Sequence, residues 1–117
     1  MWLMTTRGFY SVVQHRDDAD RLLVRARTRE DIEALADLVA GEPLWLEWPN
    51  ADYAWRVETT RDEWQAAMQV LVGEITYPNF KSAIKDDAHE QAYHRVWGVM
   101  NELNDTVGPA RASDGDA

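Results

Sequence analysis

The chain has 117 residues, 45% hydrophobic and 28% charged, proportions that suit one globular domain with a core of its own. It contains no cysteine, which excludes disulfides, thiolate nucleophiles and cysteine-ligated zinc. Its net charge of −9 is uneven, since residues 1–27 carry +2 and the remaining 90 carry −11. That balance disfavours nonspecific nucleic-acid binding and leaves the first strands as the place for a local basic face.

No segment approaches the ~20 apolar residues of a membrane span, and "MWLMTTRGFY" has no basic region ahead of a long apolar run. The expected location is the cytoplasm, with no membrane partner.

In chain order, "GFYSVVQH" (Gly8–His15) is rich in aromatic and β-branched residues and predicts a strand, with Trp2–Thr6 extending its start. "RDDAD" is a polar turn. "RLLVRAR" (Arg21–Arg27) predicts a second strand, with Leu22, Val24 and Ala26 on one face and Leu23, Arg25 and Arg27 on a basic one. The two strands form a hairpin.

Thr28 is an N-cap candidate, and Glu30 and Asp31 complement the helix dipole in the first turn. Ile32, Leu35, Ala36 and Val39 fall at helical spacing, and Gly41 and Pro43 end the helix. "LWLEW" and "YAWRVETT" predict a second pair of strands around the turn "PNAD". "TRDE" (Thr60–Glu63) is a capping box opening a helix with Trp64, Ala67, Met68 and Leu71 on one face. A last helix spans Ala88 to Leu103, with Ala92, Val96, Val99 and Leu103 in one stripe joined by Tyr93, Trp97 and Met100. Trp64 and Trp97 are therefore expected in the core.

This order, ββα-ββα-α, predicts an α+β fold: one antiparallel sheet with helices on one face, a permuted ferredoxin-like arrangement. The domain is expected to span 1–104. Residues 105–117 are small, polar and acidic, and are expected to be a disordered tail. Helices on one face leave the other open. A partner or a second copy of the chain, making a homodimer, would close it.

No P-loop, Rossmann fingerprint, nucleophile elbow or zinc motif is present, so neither a cofactor nor a metal is expected. "RGFYSVV" shares Arg7, Gly8 and Phe9 with RNA-recognition strands, but Ser11 stands where a second aromatic belongs.

The most unusual stretch is "YPNFKS" (Tyr77–Ser82). Pro78 holds Tyr77 extended and Asn79 can cap a following turn, whose free N–H groups beside Lys81 and Ser82 would attract an anion. With His94 from the last helix, Tyr77, Asn79, Lys81 and Ser82 form the candidate ligand site. A structural role is the alternative, with Tyr77 and Phe80 as anchors and Asn79 as the cap.

"RGFYSVV", its spacing to "LLVRAR", and above all "YPNFKS" followed by "YHRVW" resemble a family of small bacterial proteins, frequent in actinobacteria, that has no known activity. The resemblance covers Met1 to Leu103. It implies a bacterial, cytoplasmic, single-domain protein and carries over no functional residues.

The leading expectation is a non-enzymatic binding or regulatory module, whose partner surface is formed by Arg7, Tyr10, Arg25, Arg27 and Trp48. One alternative is a small anionic ligand bound, or acted on, at "YPNFKS". The other is RNA binding through the first hairpin.

Overall fold

The computed structural model describes residues 1–39 and 46–108, with no account of the side chains of 46 and 47. The predicted helix end at Gly41 and Pro43, Trp45, and the tail from residue 109 lie outside the described residues. The chain divides into two compact units, Met1–Pro78 and the segment from Asn79 onward.

The first unit is an α+β layer pair. Its elements are β1 (Trp2–Met4), β2 (Phe9–Gln14), β3 (Arg21–Ala26), α1 (Arg29–Ala36), β4 (Leu46–Glu47), β5 (Trp55–Thr60) and α2 (Arg61–Gly73). The strands form one antiparallel sheet in the order β1-β2-β3-β5-β4. Trp2–Met4 does not extend β2, as the sequence suggested, but folds back on it as a separate strand. The reversal is a tight turn in which Thr5 N–H donates to the Gly8 carbonyl at 3.0 Å and the Thr5 hydroxyl to the same oxygen at 2.9 Å.

Strand alternation decides which face is buried. Val12, Val24 and Val57 lie across from one another in register, and with Tyr10 and Ala26 they point to one face. Ile32 and Leu35 of α1 and Trp64, Ala67 and Leu71 of α2 close over them to make the core. Both helices start where the sequence places their caps. The Thr28 side chain accepts from Asp31 N–H, and Thr60 and Glu63 exchange both bonds of the capping box.

Gly8 has a φ of +153°, and a β-carbon there would lie 2.4 Å from Cγ of Asp31. Asp31 is buried and occupied: its side chain accepts from Phe9 N–H at 3.1 Å, while its carbonyl accepts from the Tyr10 hydroxyl at 2.6 Å. The glycine of "RGFYSVV" is thus required by the approach of a helix side chain.

The second unit contains α3 (Phe80–Ala83), a single turn, and α4 (Asp87–Thr106). The Asn79 side chain caps α3 by accepting from Ser82 N–H at 3.3 Å, and Asp86 caps α4 by accepting from His89 N–H at 2.9 Å. The last helix runs through 105 and 106, two residues into the predicted tail. Tyr93 is the buried residue of α4, with Phe80 stacked on it at 5.6 Å between ring centroids. Its predicted core stripe is otherwise exposed, Val99 at 62% and Leu103 at 48%, and Trp97 is exposed rather than buried.

Candidate functional site on the uncovered sheet face

The residues singled out from sequence belong to both units. Tyr77 belongs to the first unit and lines a small, mainly apolar cavity of about 150 Å³ with Leu3, Met68, Leu71 and Ile75. Asn79, Lys81, Ser82 and His94 belong to the second. There Asn79 is committed to its cap, Lys81 Nζ lies 4.2 Å over the Trp97 ring, and His94 stacks on the same ring. Ser82 is exposed. These contacts are those of a helix junction anchored by aromatic rings.

Two members of the predicted partner surface are also used internally. Tyr10 is fully buried in the core, because the strand phase that sends Val12 inward sends Tyr10 with it. Arg7 is a clasp. Its guanidinium donates to Glu74 at 2.6–3.0 Å, to Asp37 at 2.9 Å and to the Ala34 carbonyl. It ties the β1–β2 turn to α1 and to the end of α2. The bonds from Arg7 hold the Glu74 carboxyl below its ordinary range and raise the Arg7 pKa in return.

The other three, Arg25, Arg27 and Trp48, converge on the sheet face turned away from α1 and α2. Arg25 on β3 stands directly across from Arg56 on β5. Arg25 and Arg27 lie over the buried ring of Tyr53, at 4.6 and 4.4 Å from its centroid, and Arg56 lies 4.8 Å over Trp48. The rings come from the turn between β4 and β5, closed by Trp48 N–H donating to the Ala54 carbonyl at 2.6 Å. Arg56 Nε donates to the Tyr53 carbonyl at 3.3 Å, and Arg25 Nη2 donates to the buried Ser11 hydroxyl at 2.6 Å.

These bonds hold the guanidiniums in place without neutralising them. Among the described residues, Arg25, Arg27 and Arg56 have no carboxylate partner, and Arg25 Nε is buried with no acceptor. Like charges directly opposed on neighbouring strands repel. Burial first, and then the charge of Arg25, push the Arg56 pKa below its ordinary value. In a chain of net charge −9 this is an unusual concentration of uncompensated positive charge.

A concavity of about 460 Å³ opens on this face, within the range of small-molecule sites. Beyond the arginines its wall continues through Val13 and Leu23 to Glu58 and His15. Glu58 is engaged there by His15 Nε2 at 3.1 Å and Arg21 Nε at 3.7 Å. Such a site can take an anion: two guanidiniums offer several N–H donors, and half-burial strengthens each bond.

Arg56, Tyr53, Ser11 and Glu58 were not picked out from the sequence. The available signal was the alternation of "WRVETT", which puts Arg56 and Glu58 on one side and Val57 and Thr59 on the other. That alternation says nothing of Arg25, which meets Arg56 only through a pairing between distant strands. No group of three or more potential metal-ligating side chains occurs among the described residues, and no helix among them is long and apolar enough to cross a membrane. No family model, curated protein or solved structure matches the chain.

Proposed function

We propose that the protein is a binding module whose uncovered sheet face holds an anionic ligand between Arg25 and Arg56. The observation that carries this reading is the in-register arginine pair, packed on aromatic rings and without a carboxylate partner among the described residues. A fold that keeps two opposed cations together loses stability unless something negative joins them.

The strand order β2-β3-β5-β4 also supports the permuted ferredoxin-like reading, with β1 as an added edge strand. Such a sheet leaves one face available for a ligand once α1 and α2 have covered the other.

The test is calorimetric titration of the full chain with inorganic phosphate and with acetate at constant ionic strength. Saturable binding of at least one anion is expected, weakened about tenfold or more by Arg25→Ala and by Arg56→Met, since each removes charge-assisted bonds. Affinities indifferent to both substitutions would overturn the proposal.

A further inference from the structure

We infer that the ligand of this face is an anion whose charged head carries an apolar body the size of an aromatic ring. The inference rests on the anion reading above and adds the chemistry of the rest of the molecule.

The register sets out the site in rows. One row, running across β2, β3 and β5, is Ser11, Arg25 and Arg56; the next is Val13, Leu23 and Glu58. Rows on one face are two residues apart, about 7 Å along a strand. An anionic head held by the arginines therefore has Val13 and Leu23 beneath whatever is attached to it. Trp48 adds apolar wall at the lip: Arg56 covers one face of its ring, and the residue is still 51% exposed. The apolar stretch is about one ring long.

Beyond it charges of both signs line the concavity: Glu58, which shares the row with Leu23 and is engaged by His15 and Arg21, and then Arg16 and Asp17. An anionic head with an apolar body meets the first two rows with their complement.

The experiment compares acetate, phenylacetate and inorganic phosphate by calorimetry and amide chemical-shift mapping on the full chain at fixed ionic strength. Phenylacetate is expected to bind about tenfold or more tighter than acetate, because the ring leaves water for Val13 and Leu23. Leu23→Thr, a β-branched replacement on the face away from the core, should shrink that ratio. If phenylacetate is no better than acetate, this inference fails while the anion reading stands. If no anion binds, or Arg25→Ala and Arg56→Met change nothing, both fail. Circular dichroism of each variant separates lost binding from lost folding. Where Leu23→Thr does not fold, Val13→Thr tests the same apolar row.

Discussion

Along α2, Trp64, Ala67 and Leu71 are buried against the sheet; along α4, Val96, Val99, Met100 and Leu103 follow the same helical spacing and are exposed. In sequence the two stripes look alike. Periodicity identifies which side of a helix is apolar, but says nothing of whether another surface covers it. In the first unit the cover is visible as three strands in register. In the second, Tyr93 has Phe80 stacked on it, and the stripe beyond it is open.

The comparison implies a ranking of substitutions, each measured by urea unfolding of the full chain. Leu35→Ala, in the fully buried centre of the first unit, should cost about 3 kcal/mol, the middle of the range for such truncations. A cost near zero would mean that this core is not what holds the unit together. Gly8→Ala should cost roughly 2–3 kcal/mol, since the new β-carbon meets Asp31 and the backbone sits where L-residues are strained. Shortening the obstacle with Asp31→Ala in the same chain should recover only part of it, because Phe9 N–H then loses its acceptor.

Arg7→Met is expected to cost about 2 kcal/mol near neutral pH, the scale of hydrogen bonds to charged groups. Its signature is the pH profile. Glu74 has a folded-state pKa below its unfolded value, chiefly through its bonds from Arg7. Its contribution is complete above the unfolded value of ~4.3 and is lost as pH falls through the lower folded value. Wild type should lose stability across that acidic window more steeply than Arg7→Met. Parallel profiles would show that the clasp does not carry this linkage.

Arg56→Met should change stability little, and in the favourable direction: relief of cross-strand repulsion, within about 1 kcal/mol, is partly offset by the lost contact with Trp48. A loss above ~1 kcal/mol would show the pair to be structurally favourable as it stands and remove the strain argument for the site. Smallest of all, Leu103→Ala should fall within ~0.5 kcal/mol, as expected for an exposed position with a good helix former substituted. A cost matching that of Leu35→Ala would break the comparison outright, since the α4 stripe would then be covered in solution.

Much of the local structure was legible from neighbouring residues. Thr28, Thr60 and Asn79 cap their helices because a side-chain oxygen and an N–H three residues on need nothing distant. The β2–β3 hairpin followed from alternation on either side of a polar turn. The fold-back of β1 was missed because "TTRG" turns through the Thr5 hydroxyl and a glycine whose conformation is set by Asp31, more than twenty residues away. The candidate site was half visible. Arg25 and Arg27 were placed on a basic face, and Trp48 beside a partner surface. Their convergence on Arg56 depends on β5 inserting between β3 and β4, a long-range pairing that no local pattern encodes.

Among the described residues the outer strands of the sheet are short, three residues in β1 and two in β4. A strand of three residues gives an incoming chain few backbone groups to pair with, so lateral growth of the sheet into fibrils has little template at β1. Arg56 and Glu58 lie one strand inside the β4 edge, on β5. An anion bound between Arg25 and Arg56, as proposed, would be held on the flat of the sheet through side chains and away from its rims.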